Sequence, residues 1–250
     1  MKEILNWNPG EDNLLKPKEV QIHQILHKKK KDTFNYSINN KRIGFIQEAE
    51  KIIEKNIEGV MLDIGSGNGY SSVYFAKNRD VKVFSMECNP DGAQLILDNF
   101  NHHKIDESKF ESVLGSFNNI PLKEHFDFVL SLGTLHHSPN LLLTMKELYS
   151  TLKPGGYILA HEPYMDDMVQ NKVFNDKSES IKHFQGILNV KEGDRDDHFF
   201  RRCEWLTAAY QSGFEVNFKQ VDSANSTIHN FILILRKPLD GQPIPHSWFK

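Results

Sequence analysis

The chain has 250 residues, of which 39% are hydrophobic and 25% charged, proportions that suit one large globular domain with a sizeable core. Its formal net charge of −3 lacks the basic balance of a nucleic-acid-binding domain, so we expect no nucleic-acid partner. The two cysteines match no disulfide or metal spacing, and neither a signal peptide nor a membrane span is evident, so we expect a reduced, cytoplasmic protein without membrane association.

Residues 1–58 are predicted to form a mostly helical N-terminal extension, because apolar residues recur at helical spacing in IGFIQEAEKIIEKN. From Val60 onward, short apolar strands alternate with helices, a pattern typical of βαβ units and a parallel sheet. The five predicted strands are GVMLDI, VKVFSME, KFESVLGS, FDFVLSLG and YILAHEP. The predicted helices between them include YSSVYFAKN, PDGAQLILDNF and NLLLTMKELYSTLKPGG, the last one stopped by Pro154 and two glycines.

The alternation of strands and helices breaks after Pro163. Residues 164 to about 200 are polar, and we interpret them as an insert or lid at the carboxyl end of the fifth strand, where open α/β sheets bind ligands. CEWLTAAYQSG then predicts a helix, and FEVNFKQV and IHNFILILRK predict two strands close enough to pair antiparallel. The main domain is therefore expected to span residues 59–250, with the insert inside it.

The stretch VMLDIGSGNGYSS indicates a ligand site, since Gly65, Gly67 and Gly69 follow a strand and open a helix. Such a turn lets a ligand approach the backbone and presents a helix N-terminus to negative charge. The glycine spacing differs from that of dinucleotide sites, and Asp63 would repel a pyrophosphate but suits an ammonium group. Glu87, at the end of the second strand, suits the hydroxyls of a ribose. S-adenosylmethionine has the ribose, amino and carboxylate groups that this arrangement favours.

The segment from Val60 to about Pro163 resembles a class I S-adenosylmethionine-dependent methyltransferase. Four motifs carry the resemblance in the order of the family: LDIGSGNGYSS, SMECNP, GSFNNIPLKEHFDFVLSLGTLHHSPN and LKPGGYILAHEP. The resemblance implies a doubly wound, Rossmann-like α/β fold. Its seven strands would have the order 3-2-1-4-5-7-6 with strand 7 antiparallel, which the two closely spaced C-terminal strands support independently.

The same resemblance implies a cofactor site of ten residues. They would be Asp63, Gly65, Gly67 and Asn68 at the methionine end, Glu87 at the ribose, Cys88 beside the adenosine, Ser116 and Phe117 at the adenine, and Ser131 and Leu132 beneath the cofactor. Ser116 stands where many relatives have an aspartate, and its hydroxyl would accept the bond from the adenine amino group without charge assistance.

Candidate catalytic residues follow the fourth and fifth strands. The methyl group of a sulfonium is already electrophilic, so the protein must mainly align the acceptor, and a base is needed only if the acceptor keeps its proton. His136 is predicted as that base and Glu162 as a second catalytic residue, with packing or hydrogen-bonding roles for both left open. No set of ligands with metal spacing is evident, so no metal is expected.

The sequence therefore favours methyl transfer to a small-molecule or peptide acceptor, without distinguishing oxygen, nitrogen and carbon nucleophiles. A nicotinamide-dependent oxidoreductase shares the first βαβ unit and stays open, although the glycine spacing, Asp63 and the LKPGG segment disfavour it. A non-catalytic, methyltransferase-like partner subunit is a third interpretation. The intact glycine turn and Glu87 disfavour that one, because a chain that binds no cofactor has no physical reason to keep them.

Overall fold

The computed structural model describes residues 2–7, 40–165, 167, 200–223 and 228–239. Its helices are α1 (Asn40–Ile53), α2 (Tyr70–Asn78), α3 (Pro90–His102), α4 (Leu141–Thr151) and α5 (Arg202–Gln211). Its strands are β1 (Leu5–Asn6), β2 (Gly59–Ile64), β3 (Val81–Glu87), β4 (Phe110–Leu114), β5 (Phe126–Leu132), β6 (Leu152–Met165), β7 (Glu215–Ser223) and β8 (Ile228–Arg236). Two short 3₁₀ turns lie at Glu107–Lys109 and Leu135–His137.

All eight described strands belong to one sheet, in the order β1-β4-β3-β2-β5-β6-β8-β7. β8 runs antiparallel to its two neighbours, β6 and β7, and the other described pairs are parallel. From β2 to β8 this is the predicted order 3-2-1-4-5-7-6 with an antiparallel last strand, so the fold class is confirmed.

The eighth strand, β1, corrects the prediction of seven strands. Leu5 and Asn6 pair with Val113 and Leu114 on β4, inside a segment that was expected to be mostly helical. A strand of two residues is too short to show the period-2 pattern by which strands are predicted, and its pairing with β4 depends on the folded sheet. The predicted helix in this extension is present as α1, and residues 8–39 lie outside the described residues.

The LKPGG segment also differs from its prediction, because α4 ends at Thr151 and β6 begins at Leu152. Leu152 pairs with Phe126, and after a shift in register Tyr157 pairs with Phe128, so the proline and both glycines form a bulge in the strand. The proline disfavours a helical conformation at the residue before it, which accounts for the early helix end. Backbone hydrogen bonds of 2.8 and 2.9 Å to Lys237 hold the bulge against the chain that leaves β8.

Apolar side chains form one layer on each face of the sheet. The first layer contains Trp205 and packs against α4 and α5, and the second packs against α1, α2 and α3. On β6, Ile158 and Ala160 belong to the first layer, whereas Tyr157 and Leu159 belong to the second. Successive side chains of a strand point to opposite faces of the sheet, so the side chains further along β6 also alternate between the two layers.

Helix α1 runs antiparallel to β2, which places its first turn at the carboxyl edge of the sheet. Its third turn lies near the amino ends of β2 and β3, where Glu50 accepts a hydrogen bond from the Ile57 backbone at 3.2 Å and pairs with Arg79 at 3.1 Å. Its apolar face, which includes Phe45 and Ile46, is buried in the second layer. Within the described ranges, no helix has both the length and the apolar character needed to cross a bilayer.

Gly156→Ala should destabilise the chain, because a Cβ there would lie 2.9 Å from the Lys153 carbonyl oxygen and 3.0 Å from that of Asp127. Overpacking against backbone atoms should lower the free energy of unfolding by about 1–3 kcal/mol, measured by urea denaturation. Gly44→Ala is the matched control, since nothing lies within 4 Å of its Cβ position in the described structure and α1 should gain about 0.5–1 kcal/mol. Equal unfolding midpoints for the two variants would contradict this account of the bulge.

Candidate active site

The residues predicted to hold the cofactor come together along the carboxyl edge of four adjacent parallel strands. The glycine turn follows β2, Glu87 ends β3, Ser116 follows β4 and Leu132 ends β5. The strand order reverses at β2, because the chain continues to β3 on one side and reaches β5 on the other. Open α/β sheets bind their ligands at such a switch point.

The glycine turn combines a tight backbone contact with an open one. Gly65 and Gly67 have φ values of 56° and 60°, in the left-handed region that favours glycine. A Cβ on Gly65 would lie 2.2 Å from Cγ2 of Thr134, so the turn packs directly on the loop that follows β5. Around the Cβ position of Gly67, in contrast, no described atom lies within 4 Å. A ligand can therefore approach the backbone at Gly67.

Asn68 adds unsatisfied polar groups to this turn. Its side chain is 4% exposed, and neither the amide oxygen nor the amide nitrogen has a hydrogen-bond partner among the described residues. Its backbone carbonyl accepts a hydrogen bond from the Asn99 side chain at 2.9 Å, which fixes the turn against α3. A buried amide without partners costs about 1–3 kcal/mol, so the arrangement fits a polar ligand such as the methionine end of S-adenosylmethionine.

Glu87 accepts three hydrogen bonds, one of them from the turn, and is 4% exposed. One carboxylate oxygen accepts from the Gly67 backbone at 3.0 Å, and the other accepts from the backbone and thiol of Cys88 at 3.0 and 3.3 Å. A carboxylate offers about four acceptor positions, so capacity remains for a ribose hydroxyl. The same carboxylate therefore shapes the turn and suits the role predicted for it.

Asp63 is directed into the protein interior, where it is 2% exposed. Its carboxyl lies 2.5 Å from the hydroxyl of Ser72, which continues through Ser85 to Ser66 in steps of 2.8 Å. Burial raises the pKa of Asp63 to about 7, against the lowering effect of the Ser72 hydrogen bond. The structure thus gives Asp63 a supporting role inside the turn, and its contact with a cofactor amino group stays a prediction.

The remaining cofactor candidates divide between the two faces of the sheet edge. Ser116 is half-buried and its hydroxyl accepts from the Asn118 backbone at 3.2 Å, with Phe117 packed beside it on the first apolar layer. The hydroxyl of Ser131 is buried and donates to Glu162, whereas Leu132 packs on the second layer. Ser131 therefore lies on the face of the sheet that carries Glu162, and Leu132 lies on the face that packs against α1.

Glu162 and His136 form a buried pair. Oε2 of Glu162 lies 2.8 Å from Nδ1 of His136, and Oε1 accepts from the backbone N–H groups of Thr134 and Leu135 at 2.9 and 3.0 Å. Burial would raise the pKa of Glu162, but its hydrogen bond to His136 and the other donors hold it below the usual value. The carboxylate favours the tautomer with hydrogen on Nδ1, so Nε2 carries the lone pair in the neutral ring. Because Glu162 is 0% exposed, its carboxylate contacts His136 within the protein interior and fixes the orientation of that ring, while a catalytic role for either residue stays a prediction.

A cavity of about 720 Å³ lies between α1 and the strands from β5 to β8. Its lining combines apolar Phe45, Leu132 and Ile232 with polar Arg42, His161 and Lys219. The ring of His161 lies 5.6 Å from that of Phe45, on the face of the sheet opposite to Glu162. The volume suits a small molecule. No motif of the sequence indicated this cavity, because its walls come from distant segments.

The predicted insert leaves and re-enters the fold at one place. Met165 donates a backbone hydrogen bond to Phe200 at 3.0 Å and bridges to Arg201. Asp167 pairs with Arg202 at 3.2 Å. Residues 166 and 168–199, which include most of the predicted lid, lie outside the described residues.

A family model described as "Methyltransferase domain" matches residues 53–204, more than half of the chain. Sterol 24-C-methyltransferase ERG6A of Gibberella zeae is 25% identical over 160 residues, which cover 62% of this chain and 39% of that protein. The chain thus spans about two-fifths of the length of the curated relatives that it matches first.

Two solved structures show the same fold at low sequence identity. Geranyl diphosphate C-methyltransferase of Streptomyces coelicolor A3(2), in complex with Mg2+, geranyl diphosphate and S-adenosyl-L-homocysteine, is 11% identical with a TM-score of 0.64. That match covers 90% of this chain and 100% of the other. Phosphoethanolamine N-methyltransferase 2 of Haemonchus contortus, in complex with S-adenosyl-L-methionine, is 15% identical with a TM-score of 0.60 and coverages of 78% and 52%.

Glu87→Ala should weaken S-adenosylhomocysteine binding by about 10- to 150-fold, because hydrogen bonds to a charged acceptor are worth about 1.5–3 kcal/mol. Glu87→Gln should lose less, since it keeps one acceptor oxygen. Isothermal titration calorimetry of the full chain measures both affinities, with Asp91→Ala, an exposed acid on the first turn of α3, as control. Wild-type affinity in Glu87→Ala would remove the ribose contact from Glu87.

Asp63→Asn should change how stability depends on pH. The pKa of Asp63 is about 7 in the folded chain, against about 3.9 for an unfolded aspartate, so the folded chain keeps a proton that the unfolded chain has released. The stabilisation from this proton is present at low pH and is lost as the pH rises through about 7. The variant cannot ionise at this position, so it does not lose this stabilisation as the pH rises. The free energy of unfolding of the variant should therefore increase relative to that of the wild type by on the order of a few kcal/mol between about pH 5 and pH 8. Urea denaturation at several pH values measures this advantage, and a constant difference would contradict the buried proton.

Proposed function

This chain belongs to the methyltransferase domain family, and from that premise we propose that it transfers the methyl group of S-adenosylmethionine to a small-molecule acceptor. The observation that carries the proposal is the turn after β2. There, the open backbone at Gly67 adjoins the unsatisfied buried amide of Asn68 and the strand-end carboxylate of Glu87. The matching family model disfavours the nicotinamide-dependent oxidoreductase, and this intact turn disfavours a partner subunit without cofactor.

The residues of the chain would bind and orient the cofactor, which supplies an electrophilic methyl group on its sulfonium. Gly65, Gly67 and Asn68 would hold the methionine end, and Glu87 would accept from the ribose. Leu132 ends β5 and also lines the 720 Å³ cavity, so the cavity adjoins the predicted cofactor site. An acceptor bound there would be aligned with the methyl group and shielded from water, which is the main contribution that this chemistry requires of the protein.

The lining of the cavity supports an amphipathic small molecule as acceptor. The names of the relatives include a sterol and geranyl diphosphate, which supports a small molecule as the general class. The lining combines apolar side chains with the charged groups of Arg42, Glu48 and Lys219, which suits an acceptor that has polar groups beside its apolar part. We therefore place the acceptor among compounds that combine an apolar part with polar substituents.

The proposed function is tested by incubating the full chain with methyl-labelled S-adenosylmethionine and a cell extract from which macromolecules have been removed. Label should appear in the small-molecule fraction together with S-adenosylhomocysteine, and Glu87→Ala should reduce both. Adding the protein and nucleic-acid fraction separately provides the comparison. Transfer of label only to macromolecules, or an absence of S-adenosylhomocysteine binding, would overturn the proposal.

If the acceptor must lose a proton, His136 is the proposed base. Glu162 favours the lone pair on Nε2, and Cε1 of His136 lies 4.0 Å from the Cβ position of Gly133, a residue that lines the cavity. His136→Ala should then lower the maximal rate by about 10²–10⁴-fold, and wild-type turnover should rise with pH as the imidazole loses its proton. Titration with S-adenosylhomocysteine should show nearly unchanged cofactor affinity.

His137→Ala and His161→Ala are the controls for His136. His137 is a neighbour whose ring centroid lies 4.1 Å from that of His136, and it should be dispensable. His161 lines the cavity on the other face of the sheet. A rate loss confined to His161→Ala would move the base to that residue, and a loss of acceptor affinity alone in His136→Ala would show that no base is needed.

A further inference from the structure

The first turn of α4 contacts both of the loops that carry predicted site residues beyond β4 and β5. Thr144 lies in this turn and is 0% exposed. Its hydroxyl donates to Oδ1 of Asn118, in the loop after β4, and lies 2.7 Å from the hydroxyl of Ser138, in the loop after β5. Ser116 lies two residues before Asn118, and His136 lies two residues before Ser138. The side chain of Thr144 therefore joins the loop predicted to hold the adenine to the loop that carries His136.

The number of available hydrogens sets the direction of these bonds. A threonine hydroxyl has one hydrogen, and Thr144 gives it to the amide oxygen of Asn118, which can only accept. The hydroxyl of Ser138 must therefore donate to Thr144, and it accepts in turn from the backbone N–H of Asn140 at 3.2 Å. Ser138 is 0% exposed, so loss of the Thr144 hydroxyl would leave a buried donor without its acceptor. That loss is costly enough to favour a rearrangement of the two loops.

At each end of this chain of bonds, a backbone hydrogen bond reaches a predicted site residue. The N–H of Asn118 donates to the hydroxyl of Ser116 at 3.2 Å. The N–H of Ser138 donates to the carbonyl of Leu135 at 3.0 Å, which closes the 3₁₀ turn that contains His136. The hydrogen bonds of Thr144 therefore connect the predicted adenine contact with the proposed base.

Two other polar residues of α4 make simpler contacts in the described part of the chain. Oε1 of Glu147 accepts from the backbone of Ile120 and from Lys123, both at 2.6 Å, and both partners belong to the loop after β4. Thr151 is buried at the end of the helix, where its hydroxyl donates to a carbonyl of the same helix at 2.8 Å. Thr144 differs from both residues because its hydroxyl contacts two loops.

We propose that Thr144 is a positioning residue that holds the loops after β4 and β5 in one fixed arrangement. This inference rests on the proposed function. Methyl transfer depends on the alignment of the cofactor with the acceptor, and a misplacement of about 1 Å can lower a rate by about 100-fold. Cofactor affinity and maximal rate should therefore both depend on a hydroxyl that belongs neither to the predicted cofactor residues nor to the cavity lining.

Thr144→Val tests the hydroxyl, because valine has a similar shape and forms no side-chain hydrogen bond. Isothermal titration calorimetry of the full chain should show adenosine and S-adenosylhomocysteine affinities weakened by about 3- to 10-fold, as expected for one lost hydrogen bond. Thr144→Ser keeps the hydroxyl and should bind within about twofold of wild type. Thr151→Val is the matched control, since it removes another buried threonine hydroxyl from α4 and should bind like wild type. Asn118→Ala, at an exposed position, removes the same bond from its other partner and should reproduce the loss even if Thr144→Val does not fold.

A second measurement separates positioning from a role in stability alone. At saturating S-adenosylmethionine, label transfer to the small-molecule fraction should be at least about tenfold slower in Thr144→Val. Ser116→Ala should recover nearly the wild-type rate once the cofactor is saturating, because only the loop after β4 is altered. In the double variant, adenosine affinity should be close to that of Ser116→Ala alone, because Thr144 acts on the adenine through Ser116.

Each other outcome overturns a specific statement. Wild-type adenosine affinity in Thr144→Val and Asn118→Ala would overturn the inference, and so would equal losses in Thr144→Val and Thr151→Val. A normal rate of Thr144→Val at saturating cofactor would contradict the joint positioning of two loops, and additive losses in the double variant would contradict action through Ser116. Failure of the wild-type chain to bind S-adenosylhomocysteine or to transfer label would refute the proposed function itself, and the wild-type measurements identify that case before any variant is compared.

Discussion

One buried carboxylate, that of Glu162, holds the part of the structure on which both halves of the site depend. It accepts hydrogen bonds from Ser131, from two backbone N–H groups of the loop after β5, and from His136. An ionised carboxylate in the interior is tolerated only when such donors surround it. The loop that it fixes carries Thr134, whose side chain packs against Gly65. The position of the cofactor turn therefore depends on a side chain two strands away.

The buried carboxyl groups of the site have hydrogen-bond partners within the protein, whereas one buried amide has none among the described residues. The buried carboxyls of Asp63, Glu87 and Glu162 all have internal hydrogen-bond partners and shape the backbone around them. Asn68, at the centre of the same edge, has none for its amide among the described residues. A folded chain keeps an unsatisfied buried amide at a cost in stability, and a ligand that pairs with it recovers that cost. The unsatisfied amide beside these satisfied carboxyl groups is the feature that makes the turn a candidate binding site.

The sequence predicted the parallel half of the fold closely, because its determinants are local. The apolar runs GVMLDI and VKVFSME coincide with β2 and β3, and YSSVYFAKN coincides with α2. β1 and the bulge before Tyr157 were missed because both depend on pairing with strands distant in sequence. The cofactor candidates could be predicted from motifs, since each lies at the end of a predicted strand or shortly after it. Arg42 and His161 could not be assigned to a common cavity, because nothing local indicates that α1 packs over the end of β6.

The predicted cofactor site and the cavity are formed by different parts of the fold. The cofactor candidates lie on the turns and strand ends of β2 to β5, whose backbone geometry is constrained by glycines and by Glu162. The cavity is formed largely by α1, β6, β7 and β8, and the pair between Glu48 and Lys219 crosses it from α1 to β7. Substitutions in these cavity side chains should leave the turn after β2 in place, because the turn is held by Thr134, Glu87 and Asn99, none of which lines the cavity. In our proposal, acceptor preference can therefore change through side chains of the cavity while cofactor binding is preserved.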